Sequence, residues 1–311
     1  MAFTVDGSNG LTFPDSTAMS SANSLGMHNR IINGAMAVDQ RNAGAAQTIT
    51  AAAALAYTVD RWYAYCTGAN VTGQRVANAI ANTFSYRFTG AASVTAIGFG
   101  QRIEAINCAD LAGTTAVLSV DLANSLLTTV TWTAFYANTT DTFGTLASPT
   151  VTQIATGTFT VTSTLTRYSA SISIPSAATT GIQIVFTVGA QTSGTWTIDN
   201  VQLERGSAAS PFEWKPITVE TTLCQRYYYN TSNATYGLIY TSGSALGING
   251  IYPPVPHPVT MRTSPTIATT KGGGGSPDCT VTPFPLSQGV RFVSATSGNG
   301  TDWVWTATAE L

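Results

Sequence analysis

"RYSASISIPSAATTGIQIVFTVG", residues 167–189, decides how this chain folds. Its first part alternates Tyr168, Ala170, Ile172 and Ile174 with Ser169, Ser171 and Ser173. Its last part sets Ile182, Ile184, Phe186 and Val188 on one face. Strand side chains point alternately to two faces, so this period of two predicts two half-buried antiparallel strands. "NTFSYRF" (residues 82–88) and "TGTFTVTS" (156–163) repeat the pattern. Many short strands between Gly, Ser and Asn turns predict an all-β chain built as a jelly roll or sandwich. One short helix is expected at "NCADLAG", with Asn107 as N-cap and Gly113 just past its end.

Composition agrees. Charged residues are 9 % of the 311, against about 25 % in an ordinary globular chain. Hydrophobic residues are 44 %, enough for a packed core rather than disorder. Net charge is −2 and the 13 basic residues are scattered, so counterion release cannot drive nucleic-acid binding. "AAAALAY" (51–57) falls far short of the ~18 apolar residues of a membrane span. "MAFTVDGSNG" lacks the charged and apolar regions of a signal peptide, which points to synthesis in the cytoplasm. Cys66, Cys108, Cys224 and Cys279 form no CxxC pair, so zinc is not expected. Free thiols are the default, with a Cys66–Cys108 disulfide left open.

Three zones follow. Residues 1–28 are rich in small residues and read as an extended arm for attachment to a partner. Residues 29–215 carry the dense strand signals. Residues 216–311 read as a smaller β-sandwich that opens with "ITVETTLCQRYYY", a helical turn becoming a strand at the tyrosines. Gly272 to Gly275 form a turn, not a phosphate cradle, because Lys271 precedes them.

"TWTIDNVQLERGSAASPFEW" (195–214) holds two carboxylates, Asp199 and Glu204. Five strand residues separate carboxylates by ~16 Å and put them on opposite faces, whereas glycosidase pairs stand ~5–9.5 Å apart. No catalytic pair is expected there, and the chain reads as a non-enzyme. The step from Ile198 to Val201 is odd, which requires an extra residue absorbed at Asp199-Asn200, a β-bulge. Asp60-Arg61-Trp62 reads as a structural anchor, an Asp–Arg pair beneath a tryptophan, with Arg102 and Glu104 able to pair with it. Tyr227, Tyr228 and Tyr229 must point to both faces of a strand. One ring therefore lies outside the chain's own core, and a subunit interface would cover it.

Taken in order, several stretches resemble bacteriophage fibre and tail proteins. They are "GSNGLTFPDSTAMSSA" (7–22), "NRIINGAMAVDQRNAG" (29–44), "YTVDRWYAY" (57–65), "GFGQRIEAIN" (98–107), "LAGTTAVLSVDL" (111–122), "TWTIDNVQLERGSAASPFE" (195–213), "ETTLCQRYYY" (220–229) and "VTMRTSPTI" (259–267). The resemblance implies a virion protein: a jelly roll similar to carbohydrate-binding modules, a small C-terminal sandwich that trimerises, and an arm, residues 1–28, that meets other virion proteins. It implies a homotrimer that contacts host surface glycans. Alternatives are a decoration or cement protein of the capsid, tail or baseplate, and a secreted carbohydrate-binding module. Sugars are held by exposed aromatic platforms, for which Trp132, Tyr136, Trp303 and Trp305 are the candidates. Resembling modules often hold a structural calcium, which would use Asp199. The acidic residue expected soon after Gly34 is missing unless Asp39 stands in. No other cofactor is expected.

Overall fold

The computed structural model describes residues 27–52, 54–80, 83–231, 255–270, 288–290 and 304–311 in full, and the backbone of strand residues 4–6, 10–12, 18–19, 238–239, 271, 279–283, 291–294 and 301–303. The strands, in chain order, begin with β1 (Thr4–Asp6), β2 (Gly10–Thr12) and β3 (Ala18–Met19), a small antiparallel meander within the arm. Then come β4 (Gln47–Ile49), β5 (Ala56–Tyr57), β6 (Tyr63–Thr67), β7 (Val71–Ala77), β8 (Phe84–Thr89) and β9 (Ala96–Ile103). After helix α1 (Ala105–Cys108) follow β10 (Thr115–Asn124), β11 (Thr129–Ala137), β12 (Val151–Thr160), β13 (Thr166–Ser173), β14 (Ile182–Val188) and β15 (Thr195–Arg205). Helix α2 (Ile217–Gln225) leads to β16 (Tyr228–Asn230), β17 (Leu238–Ile239), β18 (Val255–Pro256), β19 (Thr266–Lys271), β20 (Cys279–Pro283), β21 (Gly289–Ser294) and β22 (Thr301–Thr308).

The chain is all-β. Strands β4 to β15 form two six-stranded antiparallel sheets, β13-β10-β15-β8-β7-β4 and β12-β11-β14-β9-β6-β5, packed as a jelly roll. Ile172, Ile174, Ile182, Ile184, Phe186 and Val188 are all buried between them, the faces their alternation requires. An aromatic ladder crosses the core. Trp62 stacks on Phe99 at 4.7 Å, Phe99 on Tyr86 at 5.0 Å, and Phe88 on Trp196 at 5.2 Å. Each such ring contributes roughly 1.5–3 kcal/mol by leaving water. Residues 216–311 add a smaller sandwich of two sheets, one centred on β22 and one of order β18-β21-β20.

The bulge sits where the odd step in the sequence requires it. Ser119 pairs Gln202 but Asp121 pairs Asp199, so β15 holds one residue more than β10, and Asn200 adopts φ 48°. Absorbing that residue keeps Trp196, Ile198, Val201 and Leu203 all in the core. It also corrects one expectation: Asp199 and Glu204 share the outer face, about four strand steps or ~13 Å apart. Beyond Ile198, residues 29–34 replace β8 beside β15. Arg30 donates to the Leu203 carbonyl, and Val201 donates to that of Gly34. A Cβ at Gly34 would overlap the Val201 carbonyl, which explains a glycine there.

The short helix starts earlier than Asn107. Ala105 opens α1, and its free N–H is met by Asp141 Oδ1 at 2.8 Å rather than by an N-cap side chain. Cys66, Cys108 and Cys224 are buried free thiols, so Cys66 and Cys108 are not joined. The glycine turn at 272–275 lies outside the described residues. Among the described residues no helix is long and apolar enough to cross a membrane.

Candidate functional site

A groove of about 300 Å³ opens on the outer face of the β12-β11-β14-β9-β6-β5 sheet. Its floor is laid by residues pointing away from the core: Tyr63 and Tyr65 of β6, Gln183 and Thr187 of β14, Thr133 and Phe135 of β11. One wall is the 143–151 loop, with Phe143 and Leu146, and the other is Leu55. Tyr63 faces Gly100 and Tyr65 faces Gly98 across the β6–β9 pair. A Cβ at Gly98 would overlap the Tyr65 ring, and one at Gly100 would meet the Tyr63 hydroxyl. The glycines thus make room for both rings over the neighbouring strand, and of the two only Tyr65 keeps part of its ring accessible in the trough. Tyr63 is buried and Tyr65 is half-buried. Burial raises the pKa of both phenols, so the hydroxyls stay protonated and keep a proton to donate.

Arg102 stands at one end. Its Nε donates to Gln183 Oε1 at 3.0 Å, Nη1 to the Leu311 carbonyl at 2.8 Å and Nη2 to the Gly144 carbonyl at 2.9 Å. Among the described residues no carboxylate lines the groove. The arrangement suits a neutral, polyhydroxylated ligand with one apolar face. It lacks the acid pair that glycoside hydrolysis needs.

Most residues singled out in the sequence sit elsewhere. Trp132 is 6 % exposed, inside the sandwich beside Phe159 and over Gly157, and offers no platform. Tyr136 shares its inward face and packs on the same core. Even-numbered residues of β11 point inward, so Phe135 between them reaches the groove. Trp305 is buried in β22, which corrects its reading as a ligand platform. Trp303 lies in the same strand opposite Lys271, but its side chain is outside the described residues.

Asp199 does not fit a calcium ion. Its Oδ2 accepts from Asn78 Nδ2 at 2.8 Å and Ser85 Oγ at 3.3 Å, and its Oδ1 from the Asn200 amide at 2.7 Å. Those donors take three of the carboxylate's roughly four lone-pair positions and leave little for a cation. Burial pushes its carboxyl up to about 7. Asp39 binds the Asn42 and Gly44 amides instead. Among the described residues no three His, Cys, Asp or Glu stand together to hold a metal.

Asp60, Arg61 and Trp62 are all buried, and they are not paired with one another but with other segments. Asp60 accepts from the Gln40 amide and side chain, both at 3.1 Å. Arg61, fully buried, pairs with Glu310 and donates to the Arg102 carbonyl at 2.5 Å. Trp62 Nε1 donates to the Asn33 carbonyl at 2.9 Å. The tyrosines find cover within the chain. Arg61 lies 3.5 Å over the Tyr227 ring, and Arg41 lies 3.6 Å over Tyr228. Tyr229 packs against Met261 and Ala307. Tyr227 and Tyr228 are thus buried within the chain, while Tyr229 is half-buried.

A second cavity, about 380 Å³, lies between Phe84, Phe212, Trp214 and Ile217. Its charged groups are already committed, Lys215 to the Asn29 and Ile31 carbonyls and Glu220 to the Asn33 amide. The groove residues Tyr63, Tyr65, Phe135 and Gln183 were missed as site residues. The detectable signal was the pairing of "YAY" with "GFG": alternate aromatics on one strand and alternate glycines on another.

No family model and no curated protein matches the chain. Among solved structures, a family 4 carbohydrate-binding module is 18 % identical over 56 % of this chain and 98 % of its own, with a TM-score of 0.36. A family 22 module of Clostridium thermocellum Xyn10B is 14 % identical over 61 % and 99 %, with a TM-score of 0.32. The enzymatically active domain of bacteriophage CBA120 tailspike protein 4 is 17 % identical over 58 % of this chain and 22 % of that one, with a TM-score of 0.34. At these identities and scores the comparisons transfer no ligand to this chain.

Proposed function

We propose that this chain is a non-enzymatic bacteriophage virion protein that contacts host surface glycans through the groove over Tyr65. The observation that carries the glycan reading is the half-buried Tyr65 ring set over Gly98, with Phe135 beside it, in a trough where no carboxylate stands among the described lining residues. A sugar ring presents an apolar face of C–H groups and a rim of hydroxyls. Tyr65 and Phe135 suit the face, and Gln183, Thr133 and Thr187 suit the rim. The virion reading rests on the ordered resemblance of "NRIINGAM", "YTVDRWYAY", "IDNVQLERG" and "CQRYYY" to phage fibre and tail proteins. With it come attachment through residues 1–28 and assembly as a homotrimer.

Two measurements test this. Antibody labelling of intact particles should place the protein on the virion exterior; absence from purified particles would overturn the virion reading. Sedimentation of the purified chain should give a trimer at micromolar concentration, and a monomer alone would remove that part of the proposal.

A further inference from the structure

We infer that Glu310 and Leu311 form a strap which, through Arg102, holds the Gly144 wall of the groove against its floor. The strap begins in a buried charge site. The Glu310 carboxylate pairs with Arg61 and accepts from Arg41 Nη2 at 2.9 Å. That pins the next residue, whose carbonyl accepts from Tyr57 Oη and from Arg102 Nη1, both at 2.8 Å.

Arg102 passes the constraint on. Its other two contacts are the Gly144 carbonyl in the wall and Gln183 in the floor. A guanidinium is planar, so its donors keep fixed relative directions, and three acceptors on three separate segments are set by one rigid group. The ring faces of Tyr63 and Phe143 flank it, 5.5 and 5.3 Å from its centre. The groove is therefore shaped in part by residues more than 200 positions away in sequence, since Arg102 and Leu311 are 209 apart. The bearing of the strap on ligands rests on the glycan reading above, but the strap itself is measurable without ligand.

The readout is amide hydrogen exchange, by NMR, at Thr145 and Thr150. Those amides donate to the Ser148 and Phe143 carbonyls and close the wall loop. In Arg102→Lys an ammonium cannot serve three separated acceptors. Exchange at both amides should then rise about tenfold, as for loss of a hydrogen bond to a charged group. A chain stopped after Ala309 should show the same rise, and Tyr65→Ala should not. Wild-type exchange in folded Arg102→Lys overturns the strap; if the stopped chain does not fold, Arg102→Lys decides alone. Loss of oligosaccharide binding in Tyr65→Ala beside unchanged exchange in Arg102→Lys would sink the strap and keep the groove. Raised exchange beside intact binding in Tyr65→Ala would do the reverse.

Discussion

Gly98 and Tyr65 meet across β6 and β9, and their contact sets the groove floor. A methyl group at residue 98 would not break the ladder, since alanine adopts strand geometry readily. It would tip the Tyr65 ring off the sheet. Gly98→Ala should therefore weaken oligosaccharide binding about tenfold, read by titration calorimetry, while the melting temperature stays within a few degrees. Trp132→Ala should behave in the opposite way. It removes a buried indole and should cost roughly 3–5 kcal/mol in urea unfolding. Glu310 provides a third contrast at this scale. Breaking a buried ion pair leaves the other charge uncompensated, so Glu310→Gln should destabilise by about 3–5 kcal/mol through the stranded Arg61.

The element that tells most is β15. Its bulge was legible because hydrophobic phase is local: Ile198 and Val201 are both apolar and an odd step apart. Asn200 takes the left-handed backbone that the bulge needs. Asn200→Gly should be nearly neutral, and Asn200→Val should cost ~1–2 kcal/mol in chemical denaturation. The bulge also buries Asp199, whose carboxyl is pushed from 3.8 up to about 7, mainly by desolvation. Asp60 rises to about 6 for the same first reason, against the opposing pull of Arg41. For such acids the folded chain binds more protons than the unfolded one. Their contribution to stability is full below about pH 4 and is withdrawn as pH rises through about 6 and about 7. Unfolding midpoints measured from pH 4 to 8 should fall on this account, and Asp199→Asn should flatten the decline. A decline of equal size in the variant would show that Asp199 is not its source.

Across the whole molecule, the jelly roll and the C-terminal segment share their most buried charges. Tyr227 rests under Arg61 and donates to Glu104, 123 residues away, while Gln40 and Arg41 reach Tyr228. Tyr227 and Tyr228 are therefore covered by the chain itself, and only Tyr229 keeps an exposed part. Alternation shows that both faces of a strand are apolar, but not which distant segment covers them. The aromatic candidates failed for a related reason. Trp132 and Phe135 are neighbours in sequence, and only the phase of β11 against the core separates buried from presented. Strand character and the bulge depend on short-range pattern and were readable; the groove is built from β6, β9, β11 and β14 together and was not. A chain of residues 27–215 should melt well below the full chain, because truncation leaves Arg61 without Glu310 and Tyr227. The proposed function stands or falls on glycan binding in the Tyr65 groove. Titration of the full chain with a panel of neutral cello-, xylo- and galacto-oligosaccharides tests it most directly. Saturable binding to at least one of them, lost in folded Tyr65→Ala, is expected; no binding to any, or equal binding by the variant, would rule the groove out as a glycan site.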